Sequence, residues 1–430
     1  MGLTVLIPGA GARENAWAWK LAQSPRVGKI YCAPGTPGTA QFAENVQIPP
    51  TSIDRLARFA ERRSIDLTVV GREDLLGLGI VNTFRARGLR IFGPTRAAAE
   101  IETDKALAKF MMSVSGIPTG TFRVFSRYDE AVVYVVECFT HTPGLTLFIK
   151  ASGLASGKGA YRCETLEKAQ EALWKIMVGR VHQDAGDNVL VEECIPGQEI
   201  SIHALADGKS SILFPPAQDH KTIGEDERSP MTGGMGVITP VPWFKAHDMA
   251  AVDRQIVLPT LSMLASSGRR FSGCLFPGLK ITNEGPKVLE FNARFGDPET
   301  QAYMRLLKSD LVELLWACTD GTLATCKLGW RGGFAASITL ASGWYPYEQK
   351  GKCGFPIQGI KEAEKVPGVV VFHAGTKLID GTLCTDGGRV LSVTALGASL
   401  RETLDHAYEA VHLVSFKGMQ YRKNIGAKAL

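Results

Sequence analysis

The chain has 430 residues, which is long enough for two to four domains with separate cores. Hydrophobic residues make up 45% and charged residues 21%, and the net charge of +5 comes without a basic tail, so nucleic-acid binding is not expected. Nine cysteines without a C-x-x-C pair indicate reduced thiols, and no apolar run is long enough to cross a bilayer. Without a charged leader at the start, we expect a cytoplasmic protein with no membrane partner.

The first hundred residues alternate short apolar strands with helices, which predicts a doubly wound parallel sheet. We expect strands at 3–8, 29–32, 67–70 and 89–92, and helices at about 13–24, 53–63, 76–87 and 96–115. This pattern defines an N-terminal α/β domain over residues 1–105.

From residue 117 the pattern changes to mixed α+β. A strand at 146–150 enters a glycine-rich loop at 152–159, and a helix near 165–179 and a strand at 188–193 follow. Residues 219–240 are predicted to form a long, polar, glycine-rich connection of the kind that usually carries function. We expect a central domain over 106–325, with a mobile flap subdomain at about 120–190, and a small C-terminal α+β domain over 330–430 that contains one clear helix at 400–414.

A predicted strand near residue 290 carries the first set of candidate chemical groups. Because residues two apart in a strand share a face, Glu290, Asn292 and Arg294 are expected to line one face, opposite apolar side chains. A carboxylate and an amide oxygen suit Mg²⁺, and the arginine suits a phosphoryl group or a carboxylate. The competing interpretation is a solvated strand face, but two further carboxylates, Asp297 and Glu299, follow directly in a turn and favour the functional one.

Gly9-x-Gly11 lies between a predicted strand and a helix, so it can present a helix N-terminus to a phosphate. Glu14 occupies the position of the third glycine of a dinucleotide-binding motif, and no acidic residue ends the second strand, which argues against a dinucleotide. A phosphate-bearing sugar and a plain tight turn are both compatible with the motif.

The loop at 152–159 combines three glycines with Lys158, and Lys150 ends the preceding strand. It does not match the Walker A pattern, but two lysines favour a phosphate-covering flap over a simple hairpin tip. The strand that follows ends in Glu192 and Glu193, with Glu199 shortly after, and such an edge can contact adenine and ribose, although paired acids at a strand end are common.

Asp219-His220-Lys221 combines an acid, a histidine and a cation, and Thr232-Gly233-Gly234-Met235-Gly236 offers close backbone approach to a ligand. The histidine is also compatible with a purely structural or solvated position.

Together these motifs resemble the ATP-grasp ligases, and among them the phosphoribosylamine–glycine ligase family. The resemblance runs through most of the chain and includes K-A-S-G-L-A-S-G-K-G, Q-D-H-K, T-G-G-M-G, E-F-N-A-R-F-G-D-P-E-T-Q, F-H-A-G-T-K and D-G-G-R-V-L. It implies that ATP, glycine and 5-phosphoribosylamine give glycinamide ribonucleotide, ADP and phosphate through a glycyl phosphate. Such chemistry depends more on charge neutralisation and alignment than on protein acid–base groups.

The resemblance also implies residue roles and cofactors. The ATP-binding positions are Lys105, Lys150, Ser156, Gly157, Lys158, Gly159, Glu192, Glu193, Ile195 and Glu199. The Mg²⁺ or Mn²⁺ ligands are Glu290 and Asn292, and the catalytic positions are Arg294, Asp219 and Lys221. The substrate-binding positions are Gly9, Gly11, Glu14, Glu73, Gly233 and Gly234. The expected partners are small-molecule substrates, and the expected assembly is a monomer or a weak homodimer.

The sequence departs from the family pattern where the amine substrate is expected. Ala12 and Asn15 replace a glycine and a histidine in G-x-G-G-R-E-H, Arg72 replaces a proline in G-P-E-x-P-L, and Met231 replaces an asparagine before T-G-G-M-G. A β-carbon at residue 12 would hinder phosphate approach if φ there were positive, and Arg72 offers an alternative phosphate contact. Three hypotheses remain: an authentic ligase, a related carboxylate–amine ligase with another amine, and a non-catalytic nucleotide-binding paralogue.

Overall fold

The structure is a computed structural model that describes residues 2–155, 159–226, 228–347 and 353–430. It confirms the predicted fold class: an N-terminal parallel sheet, a central α+β region and a smaller C-terminal α+β region. Ser156, Gly157 and Lys158, which the resemblance assigns to the flap, lie outside the described residues. Within the described ranges, no helix has the length and apolar character needed to cross a membrane.

The N-terminal region is a five-stranded parallel sheet in the order β3-β2-β1-β4-β5. Its central strand is buried on both faces, as an apolar strand of a covered parallel sheet must be. The strands are β1 (Leu3–Gly9), β2 (Val27–Pro34), β3 (Glu44–Asn45), β4 (Leu67–Val69) and β5 (Ile91–Phe92). The helices are α1 (Ala12–Leu21), α2 (Ile53–Arg62), α3 (Glu73–Gly77), α4 (Ile80–Ala86) and α5 (Arg96–Thr103).

Two of the predicted helices are interrupted. The helix expected at 76–87 is replaced by α3 and α4, because Gly79 has a left-handed φ of 81° between them. The helix expected at 96–115 ends at Thr103, and a new helix, α6 (Lys105–Val114), begins after Asp104. The Asp104 carboxylate accepts a hydrogen bond from the Leu107 backbone N–H and so caps α6, which places Lys105 at its first position.

The central region contains two antiparallel sheets. One has the order β6-β9-β7-β8, and the other has the order β10-β15-β11-β12 with β16 paired to β15. Their strands are β6 (Phe122–Phe125), β7 (Leu147–Ala151), β8 (Ala160–Cys163), β9 (Val189–Glu193), β10 (Gln198–Ser201), β11 (Ala204–Asp207), β12 (Ser211–Leu213), β15 (Ser272–Thr282) and β16 (Gly285–Asn292). The further helices are α7 (Tyr128–His141), α8 (Leu166–Leu173), α9 (Ala246–Val252), α10 (Leu258–Ser266), α11 (Glu299–Leu306) and α12 (Leu311–Asp320).

The segment 219–240, predicted as a long glycine-rich connection without strands, contains β14 (Gly236–Thr239) and the end of β13 (Gln218–Asp219). Both strands belong to the C-terminal sheet, whose order is β13-β14-β17-β21-β18, with β22 paired to β17. The C-terminal elements are β17 (Phe334–Ser342), α13 (Ile360–Ala363), β18 (Val370–His373), β19 (Thr376–Ile379), β20 (Thr382–Thr385), β21 (Arg389–Gly397), α14 (Leu400–Leu413) and β22 (Met419–Gln420). Backbone pairing thus fixes the glycine-rich segment to the C-terminal region.

An apolar core crosses between the three regions and holds them together. The ring of Trp17 on α1 meets Phe295 edge-on at 5.5 Å between centroids, and Trp19 meets Phe372 on β18 at 5.9 Å. Trp17 and Phe295 are fully buried, and burial of one such side chain contributes about 2–3 kcal/mol. Helix α1 therefore packs against both the central and the C-terminal regions, and the residues between these contacts are held in a defined arrangement.

Candidate functional site

Strand β16 carries Glu290 and Asn292 to the centre of the molecule. The strand contains a bulge, because Gly278 and Leu279 of β15 pair with Glu290 and Val288 and leave Leu289 as an extra residue. Leu289 therefore lines the same cavity as Glu290, which corrects the predicted strict alternation of faces. The strand ends at Asn292, so the turn that follows sets the direction of Arg294.

Three lysines from distant parts of the chain surround the Glu290 carboxylate. Burial alone would raise the pKa of Glu290, but the positive charges of Lys221, Lys150 and Lys105 hold it below its ordinary value. Lys105 comes from the start of α6, Lys150 from β7 and Lys221 from the segment after β13. The site therefore concentrates positive charge around an ionised carboxylate, an arrangement suited to polyphosphate with a divalent cation.

Lys105 is tied to the segment that leads into the flap. Its backbone N–H donates to the Ser152 carbonyl at 2.9 Å, and its Nζ donates to the Gly153 carbonyl at 3.0 Å. The Ser152 hydroxyl donates to the Asp104 carboxylate at 2.8 Å. Gly159, at the other end of the loop, accepts from the Ala151 backbone N–H at 2.8 Å. The described ends of the glycine-rich loop are therefore anchored beside Lys105.

Glu192 lies in β9 with its carboxylate turned towards lysines. One oxygen is 2.6 Å from the Lys150 Nζ and the other is 3.4 Å from the Lys109 Nζ. Although burial opposes it, the pKa of Glu192 is lowered by these two cations. The Glu192 side chain thus positions Lys150, while Glu193 accepts a hydrogen bond from the Thr121 hydroxyl.

Ile195 and Glu199 complete the predicted nucleotide edge. Ile195 is buried against Gly120, where a β-carbon would lie 2.9 Å from the isoleucine side chain. Glu199 lies in β10, lines the cavity that Glu290 and Asp219 also line, and is 3.3 Å from the Lys280 Nζ. Of the predicted nucleotide positions, Glu199 therefore lines the same cavity as Glu290.

The donor set at β16 fits a hard divalent cation. Glu290 is ionised, and Asn292 donates through Nδ2 to the Phe276 carbonyl at 3.4 Å, which leaves its Oδ1 directed away from that bond. The described part of the chain holds no group of three or more His, Cys, Asp or Glu side chains arranged for a metal ion. Glu290 and Asn292 would offer a cation one carboxylate and one amide oxygen, a pair of hard ligands that suits a divalent cation shared with phosphate oxygens.

Arg294 is held between two carboxylates. Its Nε is 2.9 Å from Glu73 of α3, and its Nη2 is 3.1 Å from Glu102 of α5. Glu102 also accepts from the Ala293 backbone N–H at 2.8 Å. The predicted residues Glu73 and Arg294 are therefore in direct contact, and the arginine side chain is fixed by the N-terminal region.

The loop between β1 and α1 encloses the carboxylate of its own Glu14. The Gly11 N–H donates to Glu14 at 2.8 Å, and the Arg13 Nε donates to its other oxygen at 2.8 Å. A β-carbon at Gly9, whose φ is 149°, would lie 2.6 Å from the Glu14 side chain. In this conformation the Glu14 carboxylate accepts the Gly11 N–H at the helix N-terminus that the sequence offers to a phosphate, so a phosphate there would meet this carboxylate.

The second predicted substrate segment meets Asp219. The Asp219 carboxylate is 3.1 Å from the Lys221 Nζ, and burial raises the pKa of Asp219 to about 7 against the attraction of that lysine. A β-carbon at Gly234, whose φ is 115°, would lie 2.9 Å from the Asp219 Oδ1. The Gly233 N–H donates to the Tyr345 hydroxyl at 2.9 Å. Asp219 and the glycines therefore form one surface.

Asp297 and Arg389 join this surface to the other regions. The Arg389 Nη1 donates to the carbonyls of Gly233 at 2.9 Å and Asp297 at 2.7 Å, and it is 3.5 Å from the Asp297 carboxylate. The Arg13 backbone N–H donates to the same carboxylate at 3.3 Å. One buried acid thus contacts the N-terminal and C-terminal regions at the edge of the predicted substrate site.

Family models match almost the whole chain. Phosphoribosylglycinamide synthetase N, ATP-grasp (A) and C domains match residues 3–102, 103–300 and 335–428. The chain belongs to the phosphoribosylglycinamide synthetase family. It is 44% identical to a phosphoribosylamine–glycine ligase of Caldanaerobacter subterraneus, over 99% of this chain and 100% of that one. It is 43% identical to a phosphoribosylamine–glycine ligase of Chlorobaculum tepidum, over 100% of both chains.

Solved structures show the same architecture. The phosphoribosylamine–glycine ligase of Thermotoga maritima has a TM-score of 0.83 at 28% identity and covers 98% of this chain and 100% of its own. A biotin carboxylase domain of Hydrogenobacter thermophilus has a TM-score of 0.73 at 15% identity, covering 98% of this chain and 92% of its own, which shows a shared fold. The central region is therefore an ATP-grasp fold.

The departures from the phosphoribosylglycinamide synthetase pattern have internal contacts. Ala12 lies in the first turn of right-handed helix α1, so the steric concern over a positive φ does not arise. Asn15 is buried and accepts from the His373 backbone N–H of β18 at 2.7 Å. Arg72 is bound by Asp74 at 3.0 and 2.6 Å, so it is not the open phosphate contact that the sequence suggested. Met231 pairs with Thr222 in an isolated bridge.

Several residues that contact the predicted site residues have no role predicted from the sequence. Glu102, Lys109 and Arg389 each contact a predicted position, yet their partners lie up to about two hundred residues away along the chain. The D-G-G-R-V-L string contains Arg389 and was the only signal for it. Spacing along a chain carries no information on such long-range contacts.

The contacts of His220 favour a structural position for this residue, and this position can be tested. Its Nε2 accepts from the Gly426 N–H at 3.1 Å and its Nδ1 faces the Gly236 carbonyl at 3.3 Å, so the neutral ring is held in place. Burial lowers its pKa to about 4 from 6.5, so only the unfolded chain takes up this proton between those values. Stability should fall by up to about 3 kcal/mol as the pH falls through this window.

Urea unfolding at pH 7.5, 6, 5 and 4.5 measures the effect. The His220→Asn variant should be less stable at pH 7.5 but should lose less stability on acidification, whereas exposed His247→Asn should follow the original chain. An unchanged pH dependence in His220→Asn would contradict the buried neutral state.

Gly234→Ala tests the contact between the glycine segment and Asp219. The added β-carbon would lie 2.6 Å from the Pro298 Cδ as well as close to Asp219, so turnover should fall by about 10-fold or more. Gly381→Ala is the control, since its φ of 79° is also positive but no atom lies within 4 Å of the new β-carbon. Equal ATP turnover in the two variants would contradict the assignment of Asp219 to the substrate surface.

Proposed function

We propose that this chain ligates glycine to 5-phosphoribosylamine with ATP, giving glycinamide ribonucleotide, ADP and phosphate in purine biosynthesis. Family membership supports the reaction, and the observation that carries the chemistry is the convergence of Lys105, Lys150 and Lys221 on ionised Glu290. Such a set of charges can align and neutralise a triphosphate beside a carboxylate substrate.

The proposed reaction has two displacements. A glycine carboxylate oxygen attacks the γ-phosphorus of ATP, and the bond to the β–γ bridging oxygen breaks to give glycyl phosphate and ADP. The substrate amine then attacks the acyl carbon, phosphate leaves with the C–O bond electrons, and the amine loses a proton. Burial and the fixed charges of the site would favour both displacements by excluding water and holding the reactants in line.

The residue roles proposed here are those implied by the family, and the contacts support them. Lys105 and Lys150 bind ATP phosphates, Glu192 holds Lys150, and Glu193 at the end of β9 and Ile195 beyond it border the adenine. Glu199 is placed for ribose hydroxyls, as it lines the same cavity as Glu290. Ser156 to Gly159 are proposed to cover the phosphates.

Glu290 and Asn292 would hold Mg²⁺ or Mn²⁺, which would supply Lewis-acid charge neutralisation at the phosphates when bound. Arg294, fixed by Glu73, is proposed to face the reacting carboxylate. Asp219 and Lys221 are proposed to act at the amine.

The substrate positions Gly9, Gly11 and Glu14 are proposed to act through the shape of their loop, while Gly233 and Gly234 border the amine. The proposed domains are residues 1–105, 106–325 with a flap subdomain at about 120–190, and 330–430. We further propose a cytoplasmic monomer or weak homodimer that uses small-molecule substrates only.

The assay that tests this function offers the purified protein ATP, Mg²⁺, glycine and phosphoribosylamine generated in situ. Glycinamide ribonucleotide and ADP should form in equal amounts, and omission of glycine should abolish both. Phosphate release with another amine, and none with phosphoribosylamine, would instead support a changed acceptor. Nucleotide binding without any turnover would support the non-catalytic paralogue.

Glu290→Ala tests the metal and phosphate site. Loss of this carboxylate should lower kcat by roughly 100-fold or more, since the cation loses a ligand and the lysines lose their counter-charge. Glu284→Ala is the matched control, because Glu284 lies on the same hairpin but is exposed and pairs with Lys287. Near-normal kcat and Mg²⁺ dependence in Glu290→Ala would remove the assignment.

A further inference from the structure

The proposed amine substrate carries a phosphate monoester, and its binding group is not settled by the sequence. The helix N-terminus after Gly11 is filled by the Glu14 carboxylate, which accepts from the Gly11 N–H. A second anion at this position would meet like charge. The phosphate therefore needs another cationic group near the acceptor surface.

Four arginines lie around the acceptor surface. In three of them the Nε group, which belongs to the edge of the guanidinium suited to phosphate, already donates to a carboxylate. The Nε of Arg13 donates to Glu14, that of Arg72 donates to Asp74, and that of Arg294 donates to Glu73. Bidentate recognition of phosphate uses two adjacent N–H groups of one guanidinium. These three side chains are therefore committed to carboxylates of the N-terminal region.

Arg389 differs because its contacts all run through Nη1. That nitrogen donates to the carbonyls of Gly233 and Asp297 and approaches the carbonyl of Gly234 at 3.5 Å. Among the described residues, Nε and Nη2 have no hydrogen-bond acceptor, and the side chain is 25% exposed. The guanidinium is thus fixed along one edge and open along the Nε–Nη2 edge.

Arg389 and Asp219 both border Gly234, which lies between them. A β-carbon added at Gly234 would point at the Asp219 carboxylate, and the Gly234 carbonyl faces Arg389. The open edge and the acid proposed for the amine therefore lie on the same glycine segment. Tyr345 borders the same place through its bond to the Gly233 N–H.

We propose that the Nε–Nη2 edge of Arg389, supplied by the C-terminal domain, binds the phosphate of the amine substrate. This inference rests on the proposed function and adds a specific residue and ligand group to it. The Asp297 carboxylate at 3.5 Å orients the guanidinium without occupying that edge. Because the acceptor loops of the N-terminal and central regions are internally paired, the C-terminal domain determines selection for a phosphorylated amine.

The test compares Arg389→Ala and Arg389→Lys with Arg305→Ala. Arg305 also joins the central region to a C-terminal carbonyl, since its Nη2 donates to Gly368 at 2.7 Å, but it does not contact the glycine segment. Arg389→Ala should raise the KM for phosphoribosylamine about 100-fold and Arg389→Lys about 10-fold, because a lysine lacks the planar fork. KM values for ATP and glycine should stay within about two-fold in all three variants, well below the effect of a lost charged hydrogen bond.

Hydroxylamine separates phosphate binding from carboxylate activation. Its nitrogen can displace phosphate from glycyl phosphate to give glycine hydroxamate, and it carries no phosphate. Arg389→Ala should therefore retain hydroxamate formation while losing the reaction with phosphoribosylamine. Parallel loss of both reactions would show a merely structural role and overturn the inference, as would an unchanged KM for phosphoribosylamine.

Ribose 5-phosphate provides a binding test that does not depend on turnover with the proposed amine. Calorimetric titration into protein saturated with ADP and glycine should give a Kd that rises at least about 10-fold in Arg389→Ala and not in Arg305→Ala. Equal affinities would overturn the inference. If the unmodified protein forms hydroxamate but no glycinamide ribonucleotide, the proposed amine is wrong, and this titration still decides the role of Arg389.

Discussion

The acceptor side of this molecule depends on the largely buried carboxylate of Asp297. It receives the Arg13 backbone N–H from the N-terminal domain, the Gln301 side chain from α11 and the charge of Arg389 from the C-terminal domain. Burial opposes ionisation, but Arg389 and Arg13 hold the pKa of Asp297 below its ordinary value. Since a buried carboxylate is stable only with such partners, the three domains must meet in this arrangement to satisfy it.

The nucleotide side follows the same logic with the charges reversed. Glu192 and Glu290 allow Lys105, Lys109 and Lys150 to remain close together in the absence of phosphate, because each lysine faces at least one carboxylate. Arrival of a triphosphate with a divalent cation then exchanges one set of counter-charges for another. Little reorganisation is needed, and preorganised charge in a buried site is the most effective form of electrostatic catalysis.

The sequence predicted the fold class because strand–helix alternation is a local pattern, and the nucleotide residues stay predictions that rest on local motifs. Strand–helix alternation over the first hundred residues and the E-x-N-x-R strand required no knowledge of distant contacts. The predictions failed where the structure of a segment depends on a distant strand. The strand β14 forms because it pairs with β17, and the bulge at Leu289 depends on the register between β16 and β15. The filled helix N-terminus at Gly11 has a local signal that was missed, since Glu14 lies three residues after the N-cap, as the glutamate of a capping box does.

By itself, the sequence determined that this protein belongs with enzymes that activate a carboxylate using ATP, since Lys150, Glu290 and Asn292 lie in long, specific motifs. It left open whether Ala12, Asn15 and Arg72 alter the amine substrate. Only the tertiary structure showed that these residues are engaged in internal contacts and that Arg389 lies beside Gly233. The physical reason is that side chains from three domains compete for the same hydrogen-bond partners. The packing of the domains decides which pairs form, and a local sequence pattern contains no information on that packing.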